Sequence, residues 1–315
     1  MGRARPGVRR LVARVAAATL FAALAAGCAA RRGVGETPPL PPAQPRPVKV
    51  ALVLGGGGAR GFAQVGVIRV LEQEKIPVDL IVGASAGSLI GALYADARDS
   101  FELEAVAWQV EKDDIFDWSL LGSTRGPVTG KALEEFVARH VKAPSIELLK
   151  VPFVAVATDL KTGEEVVLDR GPVGPAIHAS SAIPGVFRPV SLGGRTLVDA
   201  GVVDPIPVSV ARARGADVVI AVDIGLELAA DEPGNFASIS LRCIALLGRE
   251  LARLKARDAD VVILPKVGET SSFDFSRKKE LMAAGVAAAR EAIPGIRAAI
   301  ERASTRPDPV PAHGP

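Results

Sequence analysis

VKVALVLGGGGARGFAQVGVIRVLEQE, residues 48–74, changes periodicity within a few residues of its start. Residues 48–54 form a short, nearly unbroken apolar run. That is the pattern of a strand covered on both faces, as in a parallel sheet. Residues 55–61, GGGGARG, cannot continue either a strand or a helix without cost. From Phe62 onward apolar residues recur at Val65, Ile68 and Leu71, the spacing of one helical face. Strand, glycine turn and helix in that order are half of a βαβ unit.

The pattern repeats outward from this stretch. DLIVGAS (79–85) predicts a second buried strand and SAGSLIGALYA (85–95) a second helix. Further strands are expected in 151–160, 161–169, 195–201, 217–224 and 260–265. Helices are expected in 101–112, 129–141, 174–183, 205–214 and 239–258, and in 276–293, which ends before Pro294. Alternating short apolar strands and helices imply an α/β fold with a mostly parallel central sheet and helices on both faces. Sheets of this kind place ligands at the carboxyl ends of their strands.

Composition sets outer bounds. The 315 residues are 49% hydrophobic and 23% charged, which excludes disorder over the whole chain. Two cysteines and three histidines, His140, His178 and His313, leave little material for a disulfide scaffold or a metal site. The net charge of +3 comes from the first 27 residues, which hold five arginines and no acid. Removing those five charges leaves −2 for the rest, so no overall cationic pull toward nucleic acid is expected.

Residues 1–27 read as a secretory signal: arginines to Arg14, then the apolar run VAAATLFAALAAG. The run is too short to span a bilayer as a helix. It closes on LAAGC, residues 24–28, which resembles the lipobox of bacterial lipoproteins. That resemblance implies lipidation of Cys28 and a membrane anchor outside the cytoplasm. Ala29, rather than aspartate, points to the periplasmic face of the outer membrane. Residues 28–47 carry Pro38, Pro39, Pro41, Pro42, Pro45 and Pro47, the composition of an extended tether reaching on the order of 60 Å. Residues 304–315 read as a disordered proline-rich tail, leaving 48–303 as the folded domain.

Three loops at strand ends carry candidate chemistry. Gly83-Ala84-Ser85-Ala86-Gly87 is a G-x-S-x-G between a strand and a helix, the nucleophile-elbow arrangement. The helix start behind Ser85 offers free amides to a developing oxyanion. Gly56, Gly58 and Gly61 also satisfy G-x-G-x-x-G. Dinucleotide binding wants an acid at the end of the second strand, and Asp79 stands at its start. Phe62-Ala63 after the glycines excludes a phosphate loop of the Lys-Ser/Thr type. An amide nest for an oxyanion remains, beside the plainer reading of a tight turn. Asp199-Ala200-Gly201 ends the strand RTLV, either as a turn-forming aspartate or as a general base. A Ser-Asp-His order would need a histidine after Asp199, and only His313 in the tail follows it. A serine activated by a carboxylate is the better expectation.

GGGGARG, GASAG and DAG in this order, with ATDLKTGEEVVL and HASSAIPGVFRPV between them, resemble the patatin-like phospholipases over roughly residues 48–265. The resemblance implies a three-layer α/β/α fold. It implies Ser85 as nucleophile and Asp199 as base, with Gly56, Gly57, Gly58 and Arg60 forming the oxyanion site. Ala200 stands where the family often has glycine, and His178 where it often has arginine. The implied activity is a serine acyl-ester hydrolase releasing fatty acid from phospholipid or lysophospholipid at a membrane surface, with no cofactor and no metal. Alternatives are a thioesterase or neutral-lipid esterase on the same dyad, or an idle lipid-binding lipoprotein. Asp159, Asp169, Asp204 and Asp223 are expected to support turns, Trp108 to pack in the core, Trp118 to pack in the core or else line an apolar acyl groove, and Cys243 to be a buried thiol.

Overall fold

The computed structural model describes residues 47–118, 126–225 and 234–305. The leader, Cys28, almost all of the tether, and His313 with the tail after Thr305 lie outside the described residues. The strands are β1 (Val50–Leu54), β2 (Leu80–Ala84), β3 (Phe153–Asp159), β4 (Glu165–Leu168), β5 (Val190–Leu192), β6 (Arg195–Asp199), β7 (Val218–Val222) and β8 (Val261–Ile263). The helices are α1 (Phe62–Gln73), α2 (Ala86–Ala97), α3 (Ser100–Gln109), α4 (Lys112–Ile115), α5 (Lys131–His140), α6 (Val173–Ser181), α7 (Val208–Ala213), α8 (Phe236–Lys255) and α9 (Lys278–Ser304).

The strands form one sheet in the order β5-β6-β3-β2-β1-β7-β8, with β4 added against β3. The central block β3-β2-β1-β7-β8 is parallel, and β4, β5 and β6 are antiparallel additions at one side. Every residue of β1, β2, β3 and β7 is buried. That is why these segments read as apolar runs rather than as alternations. Successive residues still point to opposite faces. Leu52, Leu54 and Ile220 enter one core with α1, α2 and α9, while Ala51, Val53 and Ala221 enter the other with α7 and Ala252 of α8. This is the expected three-layer arrangement with a mostly parallel sheet.

α1 and α9 touch backbone to backbone. A Cβ on Gly66 would strike the Met282 carbonyl, and one on Gly285 the Ala63 carbonyl. α9 does not stop at Pro294 but runs on to Ser304. Ile296, Ala299 and Ala303 continue its buried stripe, and that burial offsets the missing amide. Three further expectations change. Trp108 is 46% exposed and Trp118 47%, and Cys243 is exposed on α8. Helical spacing identified a face around Trp108 and Cys243, but not which face meets the core, and Trp118 lies outside any helix in a bridge to Val128.

Candidate active site

Register explains why two residues 114 apart in sequence meet. Val156 of β3 pairs with Ala84, the last residue of β2. The next residue, Ala157, pairs with Asp199, the last residue of β6. β6 takes over as partner of β3 where β2 ends. The chain leaving Ala84 therefore places Ser85 beside Asp199, and Ser85 Oγ donates to Asp199 Oδ2 at 2.6 Å.

Ser85 stands at the start of α2 with φ 51° and ψ −123°, a strained conformation for a residue with a side chain. The elbow closes only because Gly83 and Gly87 are bare. A Cβ on Gly83 would strike Ser88, and one on Gly87 the Leu54 carbonyl. The Ser85 amide donates to Ser180 Oγ at 3.0 Å, and Ser88 Oγ donates to the Ser85 carbonyl at 2.7 Å. Asp199 is held on three sides. Its Oδ1 accepts the Gly201 amide at 2.7 Å, its carbonyl accepts Thr158 Oγ1 at 2.9 Å, and its amide donates to the Ala182 carbonyl at 2.9 Å. Burial raises the Asp199 carboxyl to about 6, against the opposing pull of the Ser85 and Gly201 hydrogen bonds.

The glycine loop passes beside Ser85, and a Cβ on Gly56 would sit 3.1 Å from Ser85 Cβ. The Gly55 amide donates to the Val222 carbonyl and the Gly56 amide to the Pro205 carbonyl, both at 3.1 Å. Among the hydrogen bonds of the described residues, the Gly57 and Gly58 amides have no such partner. Gly58 has φ +58°, and a side chain there would meet the Ser272 backbone.

Two cavities meet at Ser85. One, of about 80 Å³, is apolar and lined by Phe62, Leu93, Phe116, Leu133, Phe136 and Phe187. The other is a wider cleft of about 520 Å³ bordered by Gly57, Asp199, Asp223, Arg242, Arg249 and Phe273. A serine on a strained turn, a buried carboxylate, bare amides and a greasy slot can together carry acyl transfer.

Residues 52–212, just over half of the chain, match the family model for patatin-like phospholipase. The chain belongs to the patatin-like phospholipase family. It is 39% identical over 178 residues to an uncharacterized NTE family protein of Mycobacterium tuberculosis, covering 56% of this chain and 49% of that protein. It is 36% identical over 182 residues to rat patatin-like phospholipase domain-containing protein 7, covering 56% of this chain and 14% of that protein. The chain spans at most about half the length of these curated relatives. The crystal structure of VipD from Legionella pneumophila shares the fold, with TM-score 0.53 at 14% identity over 82% of this chain and 68% of that one.

Within this patatin-like site, Arg60 borders the same cleft as Ser85, and its side chain is committed to backbone carbonyls. Its guanidinium donates to the Ile224 carbonyl at 3.0 Å and the Thr270 carbonyl at 2.9 Å, anchoring the loop. Burial lowers Arg60 to about 10, and nearby Asp223 opposes the shift. Gly56, with its amide committed, shapes the turn rather than donating. Of the expected oxyanion set, Gly57 and Gly58 have amides with no hydrogen-bond partner among the described residues. His178 lines neither cavity. Its Nδ1 lies 2.7 Å from Glu134 Oε1, and its ring fills the space that a side chain on Gly130 would need. His140 packs against Phe136.

Asp79 accepts the Val50 amide, and Asp159 accepts those of Lys161 and Thr162. Asp223 accepts the Gly225 amide. Asp169 instead pairs with Arg170 and Arg214. Asp204 is fully buried, ion-paired with Lys255 at 3.3 Å, and shares a hydrogen bond with Glu165. Sequence reasoning passed over Gln64, Thr158, Ser180 and the segment 270–275. Gln64 Nε2 donates to the Gly55 carbonyl at 2.7 Å, and the Ala59 amide donates to the Ser272 carbonyl at 2.8 Å. A glutamine on the buried face of α1 was the one visible sign.

Proposed function

We propose that the protein is a serine acyl-ester hydrolase that releases fatty acid from phospholipid or lysophospholipid. The observation that carries this reading is the 2.6 Å hydrogen bond from Ser85 Oγ to buried Asp199, where an apolar slot meets a wider polar cleft. Family membership supports the same chemistry.

Ser85 Oγ attacks the ester carbonyl as Asp199 takes its proton, so a C–O bond forms and the carbonyl becomes an oxyanion. The Gly57 and Gly58 amides, without a partner among the described hydrogen bonds, supply the donors for that charge. Collapse breaks the original ester C–O bond, and the leaving alcohol takes the proton from Asp199. Asp199 then removes a proton from water, which attacks the acyl-serine. The second collapse returns the proton to Ser85 and frees the fatty acid. A carboxylate with a pKa of about 6 accepts a proton more readily than an ordinary aspartate while remaining ionised at neutral pH.

Exposure of the purified full chain to a fluorophosphonate probe and to a mixed bacterial lipid extract tests the reading. Wild type should label and release fatty acid, and Ser85→Ala should do neither. Labelling or release that survives the substitution overturns Ser85 as nucleophile. Release from thioesters or triglycerides but not from phospholipid would replace the substrate.

The anchoring at Cys28 is part of this proposal and is supported by the LAAGC sequence. Cys28→Ala should leave an unprocessed, unlipidated precursor of larger size by mass spectrometry. Identical mature masses would remove the anchor.

A further inference from the structure

The apolar slot at Ser85 has a direction. Ser85 opens it, and Ala86, Leu89, Ile90 and Leu93 of α2 line one wall. Their spacing is that of one helical face. From Ser85 to Leu93 the helix rises about 12 Å. Among the described lining residues, Ser85 and Ser181 alone carry a polar side chain.

The packing of α3 and α5 places the far end of the slot. α1 and α2 start side by side, since a Cβ on Gly61 would lie 3.2 Å from Ala86 Cβ. α3 runs back along them. Its Ser100 amide donates to Glu72 near the end of α1, and its Glu104 pairs with Arg69 at 3.2 Å. Lys278, stacked over Phe62 at the start of α1, donates to the Trp108 and Val110 carbonyls. Val110 therefore lies toward the mouth of the slot and Val106 toward its far end. α5 runs the other way. Gly130 at its start abuts His178 of α6, the helix whose Ser180 holds the Ser85 amide. Asp96, near the end of α2, accepts the Lys142 and Ala143 amides just beyond α5. Phe136 thus lies deeper than Leu133. The floor is Leu93, Val106 and Phe136, with Leu93 6% exposed and Phe136 2%.

Two dimensions of the slot agree. A zigzag of carbon–carbon bonds of about 1.5 Å advances about 1.3 Å per carbon, so a depth of about 12 Å spans about nine carbons. The volume of about 80 Å³ holds roughly five to eight groups of water or methylene size, at about 10–15 Å³ each.

We propose that the slot is a ruler for a straight acyl chain of about eight carbons, and that Leu93 sets its length. The carbonyl sits at Ser85, the chain runs down the face of α2, and the alcohol part of the ester stays in the wider cleft. Shorter chains leave apolar wall unfilled. Longer chains must buckle or displace Leu93, which packs in the main core, and are turned over more slowly. The inference deepens the acyl-hydrolase reading and rests on it for one point, that an acyl ester is the group presented to Ser85.

The test uses the full chain and a series of p-nitrophenyl esters. kcat/KM for the octanoate should exceed that for the butanoate and that for the hexadecanoate by at least about tenfold each. Leu93→Ala should move the optimum toward the dodecanoate, and Leu93→Phe toward the butanoate. Ratios between esters cancel any loss of folded protein. A wild-type optimum at the butanoate, at the dodecanoate or beyond, or an unchanged profile in both variants, overturns the ruler. Binding supplies a second reading without turnover. In Ser85→Ala, calorimetric affinity for straight-chain primary alcohols should climb about three- to fourfold per carbon as far as octanol and then level. With Leu93→Ala added, the levelling should come about two to three carbons later. A climb that continues through dodecanol overturns the ruler whatever the esters show. A wild type that cleaves no ester, with affinity levelling at octanol in Ser85→Ala, strikes the hydrolase reading and leaves the ruler standing.

Discussion

The two oxygens of Asp199 have separate partners: Oδ2 faces the Ser85 hydroxyl and Oδ1 the Gly201 amide. One oxygen fixes the side chain and leaves the other to accept a proton. Asp199→Asn can keep the Gly201 contact through its amide oxygen, which turns an NH2 toward Ser85. We expect turnover to fall by about 10²–10⁴-fold. The melting temperature should hold or rise, because a buried charge is removed. Turnover within tenfold of wild type would exclude Asp199 as base.

The pH profile follows from the same carboxyl. A base must be ionised, and Asp199 titrates at about 6. kcat/KM should be level near neutrality and fall about tenfold per unit below pH 6. A fall beginning near pH 4 would mean that the buried carboxyl is not the titrating group.

Histidine should be dispensable for the chemistry. His178→Gln loses the ring that packs against Phe187 and should cost on the order of 1 kcal/mol of stability in chemical denaturation. Turnover should stay within about tenfold, and His140→Gln should behave alike. A collapse of turnover in either variant, with Asp199→Asn still active, would restore a triad.

Gly58→Ala places a methyl group at φ +58° against the Ser272 backbone. The strain should cost at least about 1–2 kcal/mol and displace the loop that carries the oxyanion donors. Fluorophosphonate labelling should slow more than urea denaturation predicts. Equal losses in both would make the glycine purely structural.

Glu165 supplies a stability test away from the chemistry. Its hydrogen bond with Asp204, aided by burial, raises its carboxyl from 4.5 to about 7. The folded state therefore holds a proton that the unfolded chain releases. Its stabilising contribution is complete below about pH 4.5 and is lost as pH rises through about 7. The melting temperature of Glu165→Gln should drop less than that of wild type between about pH 5 and pH 8. Parallel curves would refute the shared proton.

The parallel core and all three loops were legible in the sequence because each rests on local chemistry. Doubly covered strands read as apolar runs, and G-x-S-x-G, GGGGARG and DAG mark turns that few other residues can make. What escaped depends on distant partners. Arg60 finds its acceptors at Ile224 and Thr270, far along the chain, so nothing near it marked it as an anchor of the glycine loop. Cys243 and Trp108 were misplaced because apolar residues on a helix identify a face without saying what covers it, and Trp118 because its bridge to Val128 is a contact between separate segments. Pro294 was read as a stop because the buried stripe beyond it is visible only once α9 is laid on α1.

The handover along β3 makes competence a property of the finished sheet. Until β6 zips onto Ala157, Ser85 and Asp199 belong to parts of the chain that have not met. On the proposed mechanism, the nascent polypeptide has no paired Ser85 and Asp199 to work with, whatever surfaces it passes. β6 is followed only by three-residue β5 at that margin, and the margin of a sheet is where fraying begins. Mild denaturant should extinguish probe labelling before helical circular dichroism declines, so the enzyme would disarm itself before it unravels.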